Sequence, residues 1–118
     1  MITAVVRFRL PQGTTRDDAN AMFEKSAPNY RGVPGLVRKY YLYGDDQTGG
    51  GVYLWNSRDA AERFYSDSWK STIAQRYGAQ PEILFYETPV IVENVDENAA
   101  TAAARRVVIG AGLASRSN

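Results

Sequence analysis

The sequence predicts a single α+β domain with the element order β-α-β-β-α-β, folded as one antiparallel sheet with two helices on one face. Three observations predict it. Period-two alternation runs through residues 2–10 and recurs on both sides of a Gly/Asp-rich turn in residues 35–55. Apolar residues at three- and four-residue spacing fall between the first and second of these strands and again after the third. A last apolar run over residues 82–92 supplies a fourth strand. At 118 residues the chain fits one domain, and a core of that size buries roughly two thirds of the unfolded surface.

In the first element Ile2, Ala4, Val6, Phe8 and Leu10 alternate with Thr3, Val5, Arg7 and Arg9, the pattern of a strand with one buried face, and Pro11-Gln12-Gly13 ends it. Thr14 or Thr15 then stands three residues before Asp17 or Asp18. That spacing marks a helix N-cap with acidic residues where the helix dipole favours them. The helix carries Ala19, Met22, Phe23, Ala27 and Tyr30 on its apolar side; Pro28 kinks or ends it, and Gly32 to Gly35 is a turn. The hairpin of residues 35–55 holds four of the eight tyrosines, one of the two tryptophans and the pair Arg38-Lys39. After it, Asn56 or Ser57 caps a second helix carrying Ala61, Phe64 and Tyr65. The cluster Ser66-Asp67-Ser68 breaks that helix and restarts it through Trp69 and Ile73 to Tyr77, with Gly78 as a left-handed stop. Glu82 to Val92 reads as the last strand, and Pro89 marks an edge position or a bulge in its second half.

This order is the ferredoxin-like plan. Counted by simple alternation, Leu36, Arg38, Tyr40 and Leu42 share one face of the second strand, and Lys39 belongs to the opposite face or the rim of an interface. Tyr53 and Trp55 oppose Val52 and Leu54, and Ile83 and Phe85 oppose Leu84 and Tyr86. Both faces of the sheet are therefore apolar or aromatic, two helices cover only one, and the other would exceed the apolar patch usual on a monomer. A homodimer closed by face-to-face sheets is expected. The domain is expected to span residues 1–94. Residues 95–118 form a C-terminal tail, partly helical or disordered, with an Ala-rich run, Arg105-Arg106 and an apolar trio from Val107 to Ile109.

Composition narrows the chemistry. The chain has no histidine and no cysteine, which removes the commonest general base and metal ligand along with thiolate nucleophiles and disulfides. Its 14 basic and 13 acidic residues are interspersed and leave a formal net charge of +1, so no nucleic-acid partner is indicated. No apolar run is long enough to span a membrane, and the N-terminal run is interrupted by Arg7 and Arg9; a cytoplasmic protein with no membrane association is expected. Gly49-Gly50-Gly51 sits in a hairpin rather than at a strand-to-helix junction, so it is not a phosphate cradle. The pairs Asp17-Asp18 and Asp45-Asp46 are explained by local hydrogen bonding at a helix start and a turn.

The remaining candidates are aromatic and cationic. Tyr53 and Trp55 share a strand face, so a phenol and an indole N–H reach into one cavity beside apolar walls, although core packing is the plainer reading of both. Arg38 sits among apolar neighbours, an awkward place for a permanent charge unless a carboxylate such as Glu82 or Glu87, or an anionic ligand, meets it. Trp69 lines a pocket mouth or staples its helix down. Phe23, Tyr40, Phe64 and Tyr65 join it as candidate substrate-binding walls.

Phe8-Arg-Leu-Pro11, Phe23-Glu-Lys-Ser-Ala-Pro28, Tyr30-Arg-Gly-Val-Pro-Gly-Leu-Val-Arg-Lys-Tyr-Tyr41, Gly50-Gly-Val-Tyr-Leu-Trp55, Tyr77-Gly78 and Pro89-Val90, in that order, resemble the YdhR-like monooxygenase family. That family belongs to the dimeric α+β barrel superfamily, alongside the antibiotic-biosynthesis monooxygenases. The resemblance covers roughly residues 3–94. It implies a ferredoxin-like fold, a homodimer, and a pocket in each subunit between sheet and helices where a small hydroxyaromatic of phenol or quinone type reacts with dioxygen without any cofactor. In such a reaction the deprotonated substrate passes an electron to dioxygen itself, and the protein supplies a dry pocket and groups that hold the oxyanion. Arg38, Tyr53 and Trp55 are the catalytic candidates for that work. The proton acceptor would be an ionised tyrosine, a carboxylate, a water or the substrate's own acidity. The alternative is a non-catalytic small-molecule binding protein of the same fold.

Overall fold

A computed structural model describes residues 1–94; the tail expected over residues 95–118 lies outside the described residues. The elements are β1 (Ile2–Arg9), α1 (Arg16–Ser26), a 3-10 turn (Ala27–Tyr30), β2 (Leu36–Tyr43), β3 (Thr48–Trp55), α2 (Arg58–Phe64), α3 (Asp67–Tyr77) and β4 (Glu82–Glu87). The four strands form one antiparallel sheet in the order β2-β3-β1-β4, which is the ferredoxin-like arrangement. Among the described residues no helix is long and apolar enough to cross a membrane.

Local chemistry accounts for the helix ends. Thr15 caps α1: its hydroxyl accepts from the Asp18 N–H at 3.1 Å while the Asp18 carboxylate accepts from the Thr15 N–H at 3.1 Å, a reciprocal capping box. The Thr15 N–H, and after it the Thr15 hydroxyl, hold the Asp18 carboxyl below its ordinary pKa. Pro28 cannot donate to the helical ladder, and the chain tightens into the 3-10 turn at that point. The expected break in the second helix separates α2 from α3, where the Ser66 hydroxyl caps the Trp69 N–H at 3.2 Å. Gly78, at φ +79°, ends α3.

Two sequence expectations need correction. The first concerns strand parity in β2. Leu36 stands opposite Trp55 but Arg38 stands opposite Leu54, so Val37 is an extra residue without a rung of its own, a β-bulge. Beyond the bulge the faces exchange. Leu36, Lys39, Tyr41 and Tyr43 face the helices, and Arg38, Tyr40 and Leu42 face outward. The second concerns β4, which ends at Glu87 rather than Val92. The Thr88 N–H still bonds the Met1 carbonyl at 2.9 Å and the Thr88 and Thr3 hydroxyls bond each other. Pro89 then offers no N–H to continue the ladder. Residues 88–93 instead run from the β4 edge to β2, where Glu93 meets Arg38 at 2.7 Å. Six residues reach about 20 Å and the sheet is about 14 Å wide between its outer strands, so the segment crosses the end of the outer face as a strap.

The core lies between the sheet and the helices. Val6, Leu10 and Trp55 are its largest fully buried side chains, with Tyr53, Tyr65, Ile73 and Tyr77 around them. The opposite face exposes Tyr40, Leu42, Leu84 and Tyr86. Gly35 starts the hairpin at φ +83°, with its carbonyl bonded by the Asn56 N–H at 2.9 Å. A Cβ there would fall 2.5 Å from the Ala60 Cβ and 3.0 Å from the Asn56 amide oxygen. Gly35→Ala is therefore expected to cost about 2 kcal/mol or more, combining left-handed backbone strain with a clash, as measured by urea unfolding.

Candidate active site

The bulge at Val37 carries Lys39 into the layer between sheet and helices. Tyr53 stands opposite it on β3, and Gly51, the next helix-facing position of that strand, has no side chain and leaves room beside it. A Cβ on Gly51 would lie 3.2 Å from both Lys39 Cε and Tyr53 Cε1. The Lys39 amine sits 3.3, 3.9 and 4.6 Å from the ring centroids of Tyr30, Tyr41 and Tyr53. Burial, and secondarily the charge of Arg76, push its pKa down to about 6. The three ring faces oppose this, since each stabilises an ammonium by about 0.5–2 kcal/mol. Removing an ammonium from water costs several kcal/mol, and the charged neighbour acting on it is another cation, so the neutral amine prevails at pH 7.

The phenols of Tyr41, Tyr53, Tyr65 and Tyr77 stay protonated. Burial raises Tyr41 to about 12 and lifts Tyr53, Tyr65 and Tyr77 above the usual tyrosine value. None of these four serves as an ionised proton acceptor near neutral pH. The Ser26 hydroxyl donates to the Phe23 carbonyl at 3.0 Å, so at its 2.7 Å contact with Tyr41 the phenol is the donor. A cavity of about 10 Å³ adjoins Lys39, Ser26, Tyr41 and Tyr77, room for about one water.

The sequence candidates fall into two groups. Phe23 stacks on Tyr41 with centroids 4.8 Å apart. Tyr53 and Trp55 lie nearly parallel at 6.3 Å, and Trp55 is fully buried. Its indole N–H donates to the Tyr65 hydroxyl at 3.1 Å. Phe64 packs against Tyr30, Tyr53, Trp55 and Tyr65. Trp69 is the staple: its N–H reaches the Tyr30 hydroxyl at 3.3 Å. These six residues form one continuous aromatic cluster with Lys39 and Tyr30. Arg38 and Tyr40 are not in it. The bulge turns both outward, where Arg38 bonds the Tyr40 hydroxyl at 3.2 Å and Glu93 rather than Glu82 or Glu87.

Lys39, Tyr30, Tyr41 and Ser26 are the site residues that sequence reasoning did not select. The available signal was the glycine triplet: three consecutive residues without side chains opposite a Tyr/Lys-rich strand imply that the partner strand's side chains fill the space. A second opening, a cleft of about 330 Å³, lies between α2, α3 and β4 and is lined by Glu62, Tyr65, Lys70, Pro81, Ile83 and Phe85. Tyr65 is common to the cleft and the cluster. Among the described residues no group of three or more carboxylates is placed to hold a metal ion.

No family model and no curated protein matches the chain. Solved structures do. A mutant of SnoaB, a cofactor-independent oxygenase from Streptomyces nogalater, is 19% identical with a TM-score of 0.55, covering 81% of this chain and 97% of that one. The monooxygenase ActVA-Orf6 of Streptomyces coelicolor, in complex with the ligand nanaomycin D, is 18% identical at 0.59, covering 79% and 91%. A Deinococcus radiodurans protein assigned to antibiotic biosynthesis monooxygenases is 10% identical at 0.61, covering 80% and 99%. At these identities the likeness shows the fold: this chain has the ferredoxin-like α+β fold of antibiotic-biosynthesis-type monooxygenases.

The depressed Lys39 pKa has a measurable consequence. The unfolded chain holds a lysine proton up to about pH 10.5, while the folded chain releases it at about 6. Between those values the unfolded state binds more protons, so stability rises with pH, by up to about 1.4 kcal/mol per unit. Below pH 6 both states are protonated and the full burial cost is present. Urea unfolding is expected to show wild type gaining about 2–3 kcal/mol from pH 6.5 to 9. Lys39→Met is expected to flatten that slope and to stabilise the protein most at the acid end.

Proposed function

We propose that this chain is a cofactor-independent monooxygenase that converts a small hydroxyaromatic to a quinone-type product between sheet and helices, with Lys39 as general base. The observation that carries the proposal is a buried amine, neutral at pH 7, enclosed by three phenol rings in a chain without histidine. The fold likeness to a cofactor-independent oxygenase supports the same class.

The neutral amine takes the substrate's phenolic proton, and the resulting ammonium remains beside the phenolate as its counter-ion. The phenolate passes one electron to dioxygen. Radical recombination joins the reduced dioxygen to a ring carbon, and the Lys39 proton completes a hydroperoxide. Loss of the proton on that carbon with cleavage of the O–O bond gives the quinone and water, so one dioxygen is consumed, one of its atoms enters product and the other leaves as water. Trp55 and Tyr65 supply N–H and O–H donors for the oxyanion, and the aromatic walls exclude solvent from the radical pair. The interior is filled by its own rings, so substrate enters by displacing Phe64 and Tyr65 from their present packing. Arg38, on the far face of the sheet, has no part in this proposal.

One observation favours the second reading, a non-catalytic binder: among the described residues every buried side-chain polar atom already has a hydrogen-bond partner. Oxygen-electrode measurements across phenols and naphthols separate the two. The oxygenase consumes one dioxygen per substrate without added metal or flavin, and Lys39→Met lowers the rate by about 10²-fold or more. Ligand-induced thermal shifts with no oxygen uptake would select the binder.

The proposal includes a homodimer. Tyr40 and Tyr86 on the outer face are 53% and 51% exposed and Leu42 and Leu84 lie beside them, an apolar surface that a second sheet would cover. Sedimentation is expected to give twice the 13.1 kDa chain mass, and Leu84→Glu is expected to shift it toward the single-chain value.

A further inference from the structure

The cleft between α2, α3 and β4 has a composition of its own. Its floor is apolar: Ile83, Pro81 and the rings of Tyr65 and Phe85, whose centroids are 5.9 Å apart at a tilt of 59°. Two charged side chains line it, Glu62 and Lys70, and they are not equivalent. Glu62 accepts from the Arg58 guanidinium at 3.0 Å, and that guanidinium also lies over the Phe85 ring, 5.1 Å from its centroid. The only acidic group of the lining is thus matched by a cation outside it, and Lys70 leaves the cleft and its rim with a net positive charge. At about 330 Å³ the cleft is at the small end of ligand pockets. At its inner wall the Tyr65 hydroxyl accepts from Trp55, which leaves its own hydrogen to donate.

We infer that this cleft seats a small planar aromatic monoanion, an aromatic carboxylate, with its ring on Phe85 and Tyr65 and its carboxylate on Lys70. Each part of such a ligand meets its complement. The ring replaces water on four apolar surfaces. The carboxylate meets an ammonium at a partly exposed rim, where it keeps some hydration while gaining a charge-assisted bond. A cationic ring would meet Lys70 and Arg58 with like charge, and an uncharged one would gain only the floor. The inference rests on the proposed oxygenase and deepens it by naming its substrate class as hydroxyaromatic acids, because Tyr65 belongs both to this seat and to the cluster that reaches Lys39 through Tyr53.

The test is binding measured anaerobically, so it does not depend on turnover. Calorimetric or tryptophan-fluorescence titration with 4-hydroxybenzoate, 4-hydroxybenzamide and tyramine is expected to rank them in that order, with the carboxylate about tenfold tighter than the amide. Lys70→Gln is expected to abolish the tenfold difference and leave amide binding unchanged. Glu62→Gln is expected to tighten the carboxylate by freeing Arg58, and Ile83→Trp, which fills the cleft, to remove both ligands. Equal affinity for carboxylate and amide, a preference that survives Lys70→Gln, or no binding at all would overturn the inference. Anaerobic binding with no oxygen uptake in air would leave the seat standing and remove the oxygenase.

Discussion

Val37 has no rung in the ladder between β2 and β3, and the interior is arranged around that fact. One inserted residue exchanges the two faces of the strand beyond it, so Lys39, Tyr41 and Tyr43 enter the layer beneath the helices while Arg38, Tyr40 and Leu42 leave it. Gly51 complements the exchange on β3, because a Cβ there would press on the Tyr40 carbonyl oxygen at 2.8 Å and on Lys39 Cε at 3.2 Å, while Gly49 makes room for Leu10 and Phe8. The pairing of a bulge with a glycine run is a shape match between neighbouring strands, and the chemistry of the site follows from it.

The consequence of greatest weight is electrostatic. A lysine taken out of water is expensive in its charged form, and the protein answers by keeping the amine neutral rather than by bringing a carboxylate to it. The arrangement sacrifices stability to hold an uncharged amine near neutral pH in a chain without imidazole. It also explains why so many aromatic hydroxyls surround the amine. These hydroxyls are met by Ser26, Trp55 and Trp69, neutral partners that add no charge to restore the ammonium.

Much of this fold is legible in the chain because its signals are local. Thr15 with Asp18, Ser66 and Gly78 mark helix ends through bonds within a few residues, and the alternation of β1 survives intact. Trp69 reads as a staple because an indole just past a cap has few other places to go. The site is less legible. Counting alternation from Leu36 assigns Arg38 to the helix side, since nothing in Leu-Val-Arg-Lys itself announces a bulge; the bulge is settled by which residues β3 offers opposite, a contact between segments. The end of β4 is hidden for a related reason. Ile91 and Val92 have strand-forming side chains, yet Pro89 has already withdrawn the donor that the ladder needs. The partner of Arg38 follows from that ending, because Glu93 reaches β2 only if the strand stops short.

The strap of residues 88–93 makes the two ends of the sheet unequal. Its ends are fixed at Thr3 and Arg38, two members of the row Tyr86, Thr3, Leu54 and Arg38, whereas the next row toward the hairpin turn, Leu84, Val5, Val52 and Tyr40, holds neither anchor. A body approaching the outer face therefore meets a ledge of backbone on one side and open side chains on the other. For two such faces, a two-fold axis along the strands would set ledge on ledge, whereas one across the strands would set each ledge against the other's open end, so the feature that narrows the surface also distinguishes the directions in which it can be matched.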